Sequence, residues 1–250
     1  MNWRRSGGSR DCDASSGGLA FRDPGSQQLD QVVASLLYSS VSPAIVFDLG
    51  RVLLDFDPNR PATVLASILG IDLPAAAKRL KAIEHPFETG QIDTERVFTI
   101  LLEGLDPAGD KVLPGALERA RRLIAAAMGT RFSPLPETIE LAHELSRAGH
   151  TLALGSNTNP LDMEAVRDAY PDALEPFGDR LFLSYRIGVM KPNPRYYQAV
   201  ADGLGLPIGD CIFIDDRPEN VAGARRTGMR GILFRGAAAL RSELAGLLAA

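Results

Sequence analysis

Five short apolar runs set the folding problem for this chain: Ala44 to Asp48, Thr151 to Ser156, Arg180 to Ser184, Cys211 to Asp215 and Gly231 to Phe234. Each is too short and too uniformly apolar to be a surface helix, and a strand that is apolar on both sides must be covered on both sides. Helical patterns bounded by Gly or Pro lie between and after them, among them Glu137 to Ala148, Pro194 to Leu204, Pro218 to Thr227 and Ala237 to Leu248. Strands alternating with helices predict an α/β fold, a mainly parallel sheet with helices on both faces.

One interval breaks the alternation. From about Arg60 to Ser133 the sequence reads as helix after helix, rich in Ala and Leu, punctuated at Gly70, Pro74, Gly90, Pro107 and Pro114, and without a convincing strand. A helical subdomain inserted after the first strand accounts for it. The expected division is an N-terminal extension (1–42), a core (43–59 and 134–250) and an inserted helical cap (60–133).

The extension opens with Arg4, Arg5 and Arg10 among Gly and Ser and has little apolar patterning before Leu29. It is expected to be mostly disordered, with Leu29 to Tyr38 as a candidate amphipathic helix. The chain has 250 residues, 45% of them hydrophobic, enough for one substantial core and a smaller accessory unit. A formal net charge of -4, from 27 basic and 31 acidic residues mixed along the chain, provides no basic stripe, so no nucleic-acid partner is expected. No stretch of about 18 apolar residues predicts a membrane span, and no apolar core follows the early arginines as a secretory signal requires. Cys12 and Cys211 lack metal-ligand spacing, and Cys211 sits in an apolar run, which fits a reducing cytoplasm. No feature of the sequence sets an oligomeric state.

Open parallel sheets bind ligands beyond the carboxyl ends of their strands, so the polar residues there carry the chemistry. The first run, within IVFDLGRVL (45–53), ends in Asp48 with Gly50 two positions on. The second, TLALGSNTN (151–159), ends in Ser156 and Asn157, and the fourth, CIFIDDRPEN (211–220), ends in the pair Asp215 and Asp216. Before the fourth, GVMKPNPRYY (188–197) carries Lys191 on a loop leading into a helix. In this order and context the sequence resembles the haloacid dehalogenase superfamily over about Ala44 to Phe234. Each motif is weak alone; the succession carries the resemblance. The closer similarity is to the branch with a helical cap after the first motif, especially bacterial sugar-phosphate phosphatases of the glucose-1-phosphate type, whose first motif also reads Asp-x-Gly.

The resemblance implies a Rossmann-like core and a phosphatase of small phosphorylated metabolites. Asp48, by its motif position, is the expected nucleophile, forming an aspartyl-phosphate that splits hydrolysis into two easier displacements. A carboxylate and a phosphate repel, so Mg2+ is expected between them, held by Asp48, the Gly50 carbonyl and the Asp215/Asp216 pair. Lys191 adds a point charge, and Ser156, Asn157 and neighbouring backbone amides hold phosphoryl oxygens as charge spreads. In relatives the cap closes over the site, which makes His85, Phe87, Glu88 and Arg60 candidates for substrate contacts.

Each residue also has a plainer reading. Asp216, with Pro218 and Glu219 after it, resembles a helix-capping arrangement. Asn157 and Asn159-Pro160 suit a turn and a helix start. Lys191 in isolation would be a solvated lysine, and His143 and His150 read as surface or packing residues. Asp215 resists this treatment, because a carboxylate directly after Ile-Phe-Ile is costly to bury without a partner.

One position departs from the family pattern. Most phosphatases of the superfamily carry a second aspartate two residues after the nucleophile, as acid toward the leaving group and then base toward water; here it is Gly50. A glycine still offers a carbonyl to a metal but no proton, which favours leaving groups that tolerate negative charge and makes a sugar 1-phosphate the first expectation for substrate. Asp55 and Asp57 lie nearby in sequence without establishing a replacement. Metal-independent haloacid dehalogenases also lack the second aspartate, and a phosphate-sensing protein without turnover is the third class. The acidic pair at 215 and 216 favours phosphate over halide, because it would repel an anionic substrate in the absence of a cation.

Overall fold

The computed structural model describes residues 42–103 and 115–248. The N-terminal extension, the Leu29–Tyr38 helix, Cys12 and the breaks at Pro107 and Pro114 lie outside the described residues. The strands in chain order are β1 (Ala44–Phe47), β2 (Leu54–Phe56), β3 (Phe132–Pro134), β4 (Leu152–Ser156), β5 (Leu181–Leu183), β6 (Cys211–Asp215) and β7 (Arg230–Leu233). All five apolar runs become strands of one parallel sheet, ordered β5-β4-β1-β6-β7.

The sheet buries both faces, as its composition demands. Alternate residues of the central strands point to opposite sides: Ile45, Phe47, Leu154 and Ile214 join one apolar cluster, while Val46, Ala153 and Phe213 join another. The first cluster is closed by α5 (Pro136–Arg147) and α9 (Ala237–Leu248), the second by α7 (Pro194–Leu204) and α8 (Pro218–Thr227). Cys211 lies fully buried in the second, as its apolar run predicts. Proline opens α5, α6 (Pro160–Ala169), α7 and α8, where its missing N–H costs no intrahelical bond.

The long helical interval consists of α1 (Arg60–Leu69), α2 (Leu73–Glu88), α3 (Thr94–Leu101) and α4 (Ala116–Gly129). Asp72 and Asp93 cap α2 and α3 by accepting from Ala75 and Arg96 N–H at 2.7 and 2.8 Å. These helices share an apolar cluster of their own, including Leu65, Ile83, Phe98 and Ile124, which reaches the core helix α6 through Leu161.

The sequence reading places no strand between Arg60 and Ser133, and here the structure differs. β3 opens at Phe132 and pairs antiparallel with β2, Phe56 opposite Phe132 and Leu54 opposite Pro134. Runs of three residues are too short to show alternation, and their pairing closes only across the whole insertion. The resulting ribbon clamps together the two ends of the helical segment.

Candidate active site

Chain order decides which strand ends meet. From β1 the chain passes to β4 and β5 on one side of the sheet, then returns to β6 and β7 on the other. The direction of winding reverses beside β1, where such sheets open a crevice at their carboxyl edge. Asp48 follows β1 and is held in line by its N–H donating to the Ile214 carbonyl at 2.9 Å, which sets it beside Asp215 at the end of β6. Neighbouring strands lie about 4.8 Å apart, so carboxylates at adjacent strand ends come within reach of one cation.

Lys191 ties these ends together. Its Nζ lies 2.8 Å from Asp48 Oδ1, donates to Asp215 Oδ2 at 2.7 Å and to the Gly155 carbonyl at 2.9 Å. The side chain is 1% exposed, so the solvated-lysine reading does not hold. Asn157 fixes its loop at two points: Asn157 Nδ2 donates to the Lys191 carbonyl at 3.0 Å, and the Lys191 N–H donates to Asn157 Oδ1 at 2.8 Å. Asn157 thus sets the backbone that aims Lys191. Ser156 is buried in the same wall, with Oγ 3.4 Å from the Asn157 carbonyl it faces. Thr158, two residues on, is pinned to the end of β5, since its N–H donates to Ser184 Oγ at 3.0 Å.

Asp215 is wholly buried, and its two oxygens are heavily engaged. Oδ1 accepts from Arg217 N–H at 2.9 Å and Asn220 Nδ2 at 3.0 Å; Oδ2 accepts from Lys191 and from Asn220 at 3.1 Å. Three donor groups making four contacts thus engage both oxygens of the carboxylate. Asp216 is half-buried and does not cap α8, whose N-cap is Arg217 with no side-chain cap bond. Asp48 Oδ1 accepts from Leu49 N–H at 2.7 Å as well as facing Lys191, and neither donor engages Oδ2.

The electrostatics fit a cation. Burial pushes Asp48 up to about 7 against the pull of Lys191, with the charge of Asp215 adding to the rise. Asp216 is raised by burial and again by Asp215. Burial pulls the Lys191 ammonium down, but Asp48 and Asp215 outweigh it and its pKa ends raised. The Lys191 ammonium between Asp48 and Asp215 and the Arg51 guanidinium near Asp216 thus face three carboxylates, and Asp48, Asp215 and Asp216 each bring an oxygen within 4.8 Å of the others. An all-oxygen, anionic donor set suits a hard dication such as Mg2+.

These residues line a cavity of about 680 Å³ between the sheet edge and the helical insertion. Asp48, Gly50, Ser156, Asn157, Lys191 and Asp216 all border it. Of the candidates on the insertion, Phe87 and Glu88 border it, whereas His85 is exposed and Arg60 donates to Thr130 Oγ1 at 2.9 Å, both outside the lining. Asp55 and Asp57 accept from Phe56 and Asn59 N–H at 2.9 Å each and do not border it either, so neither takes the place of the missing acid. At Gly50 a Cβ would stand 3.2 Å from Phe56 Cε1, so the aromatic ring crowds the space an acid side chain would enter. His143 lies at the surface between Asp172 and Glu175, 3.2 and 3.3 Å away.

Sequence reasoning missed Arg51, Phe56, Arg131, Asp162 and Asn220. Asn159 behaves as the Asn-Pro signal indicates, accepting from Asp162 N–H at 3.0 Å to cap α6. That capping role hides Asp162, whose side chain belongs to the cavity wall.

A doubly covered parallel sheet thus carries a buried carboxylate–lysine–carboxylate bridge at its switch point, roofed by helices inserted after the first strand. The model of the haloacid dehalogenase-like hydrolases matches residues 43–228, and the chain belongs to that family. A flavin mononucleotide hydrolase of Arabidopsis thaliana is 46% identical over 187 residues, covering 70% of each chain. A phosphatase of Mycobacterium tuberculosis is 32% identical over 197 residues, 76% of this chain and 86% of that one. Among solved structures, a family enzyme from Bacteroides thetaiotaomicron in complex with magnesium and inorganic phosphate superposes with a TM-score of 0.65 at 23% identity, over 78% of this chain and 96% of that one. No helix among the described residues is long and apolar enough to cross a membrane.

Proposed function

We propose that the chain is a magnesium-dependent phosphomonoester hydrolase of a small phosphorylated metabolite, working through an aspartyl-phosphate on Asp48. The observation that carries the reading is the Lys191 ammonium bridging Asp48 and Asp215 among three converging carboxylates. Lys191 and Leu49 N–H hold Asp48 by Oδ1, which turns Oδ2 to the attack on phosphorus. Asp48, Asp216 and the Gly50 carbonyl would hold Mg2+ directly, with Asp215, its oxygens already engaged, holding Lys191 in place beside it. The bound ion offsets the repulsion between nucleophile and phosphate. Ser156 and Lys191 receive phosphoryl oxygens, and Asn157 keeps Lys191 on target. The insertion acts as a cap over 60–133, limiting water and restricting entry to small substrates, in a reducing cytoplasm and without a nucleic-acid partner.

The preferred leaving group follows from Gly50. With no acid two residues after the nucleophile, the anomeric oxygen of a sugar 1-phosphate departs more readily than an ordinary alkoxide, which supports that substrate class. A second reading is flavin mononucleotide, favoured by the 46% identity to a hydrolase of that compound and by the Phe56 and Phe132 rings in the wall. The two readings differ chemically, because flavin mononucleotide releases a primary alcohol and so requires a proton from elsewhere.

The test is turnover of glucose 1-phosphate, flavin mononucleotide and p-nitrophenyl phosphate with magnesium and with excess chelator, beside chloroacetate without metal. Phosphate release that requires magnesium supports the proposal. Chloride release without metal would return the dehalogenase reading, and no turnover of any compound would return the phosphate-sensing one.

A further inference from the structure

Five cationic side chains border the cavity, and four of them are engaged: Lys191 with Asp48 and Asp215, Arg131 with Asp162, Lys81 with Glu84, and Arg217 with Glu219. The fifth, Arg51, makes no ion pair and no side-chain hydrogen bond among the described residues. It is exposed, and its guanidinium lies over the Phe56 ring, 5.3 Å from the centroid. Its charge reaches Asp216, whose carboxyl it draws down against the effect of burial. The backbone singles out the same residue. Arg51 has φ +57°, the only positive φ outside glycine among the described residues, and its N–H donates to the Leu54 carbonyl at 2.6 Å. A Cβ makes that conformation costly, whereas glycine adopts it freely. A long cationic side chain kept at such a position, directly after Gly50 and on the cavity rim, points to a use for the guanidinium.

The surroundings define what it would bind. Phe56 packs against Phe132 with ring centroids 6.3 Å apart, Arg131 lies over both rings at 5.3 and 4.9 Å, and Phe87, Met128 and Met190 add apolar surface to the cavity wall. A guanidinium carries donors only, all in one plane: its edge meets carbonyl oxygens and ring nitrogens, and its face meets a π system. A flat heteroaromatic group bearing carbonyl oxygens uses both. A sugar has no π face to offer. A second phosphate would find one unengaged cation and, bordering the same cavity, Glu84, Glu88 and Asp216.

We propose that Arg51 is a substrate-binding residue that, together with Phe56, seats a planar heteroaromatic leaving group bearing carbonyl acceptors. The proposal rests on the phosphatase reading and adds to it the class of ester that fits. Flavin mononucleotide belongs to that class; sugar phosphates and bisphosphates do not.

Riboflavin tests the seat without turnover, because it carries the flavin leaving group and no phosphate. Titrated into the protein with magnesium and followed by flavin fluorescence, it should bind the wild type, and its Kd should rise about tenfold in Arg51→Gly through loss of one charge-assisted hydrogen bond and one cation–π contact. Glycine adopts the positive φ at this position, so the variant should fold, which its melting curve checks. In turnover, the ratio of kcat/KM for flavin mononucleotide to that for glucose 1-phosphate should fall by a similar factor, mainly through KM. Arg51→Lys keeps the charge without the planar fork and should behave like the glycine variant. Wild-type riboflavin binding with lysine in place of Arg51, or losses in Arg51→Gly confined to glucose 1,6-bisphosphate, would make the residue a site for a second anion and overturn the proposal. No riboflavin binding by the wild type, or an unchanged Kd in Arg51→Gly, would overturn it while leaving the phosphatase reading standing. A wild type inactive on all esters with magnesium would overturn both.

Discussion

Asp48 occupies an expensive position, a carboxylate 6% exposed beside a second one that is fully buried. Lys191 makes that arrangement tolerable, since a buried charge persists only when paired. Asp48→Asn keeps the shape and can still face Lys191 with its amide oxygen, but an amide forms no acyl phosphate. Turnover should therefore drop at least about 10³-fold, while far-UV circular dichroism and cooperative melting persist. Near-wild-type activity in rigorously purified variant would remove Asp48 as the nucleophile. Strand-end position made Asp48, Ser156 and Asp215 legible in the sequence. Sequence could not apportion the Asp215/Asp216 pair, because the three donors on Asp215 come from Lys191, Arg217 and Asn220, brought together only by folding.

The helical insertion meets the core through close backbone contact as well as apolar packing. Gly90, just beyond α2, has φ +68°, and a Cβ there would lie 2.3 Å from the Tyr185 carbonyl oxygen. Gly90→Ala combines a left-handed strain with a clash against backbone that cannot swing away, and should cost at least about 2 kcal/mol in urea unfolding. A neutral result would mean that this contact yields easily. α2 also carries Glu88, whose folded pKa of about 7 stands above its ordinary 4.5. The folded state therefore binds this proton more tightly than the unfolded chain. Its contribution to stability is fully present below pH 4.5 and is lost as pH rises toward 7. Glu88→Gln should accordingly raise the melting temperature at pH 8 relative to wild type and lose that advantage near pH 4.5. An identical difference at both pH values would show that Glu88 ionises normally.

Across the whole molecule, a metal held by the carboxylates at the sheet edge would link its own binding to folding. An ion that binds only the folded state stabilises it by mass action, by about 2.7 kcal/mol at a hundredfold excess over Kd. Magnesium should raise the melting temperature of chelator-treated protein, and Asp216→Asn should suppress that rise with no substrate present. A rise that survives in Asp216→Asn would assign the direct ligand elsewhere.

Short-range chemistry determined what the sequence alone could show. The five apolar runs of four to six residues were legible as strands from their length and their Gly- and Pro-bounded surroundings, and Asn159-Pro160 and Asn193-Pro194 start helices through contacts two or three residues away. The order of the motifs was enough to identify the family. Only the tertiary structure decided the rest, because the rest depends on residues far apart in the chain. Sheet order sets β1 between β4 and β6 and so brings Asp48 against Asp215. The Lys191 bridge spans to Asp48, the β2–β3 ribbon closes across the insertion, and Arg131 pairs with an Asp162 that locally reads as part of a helix cap. Pairings of this kind leave no periodicity, because neither partner's neighbours record which distant side chain it will meet.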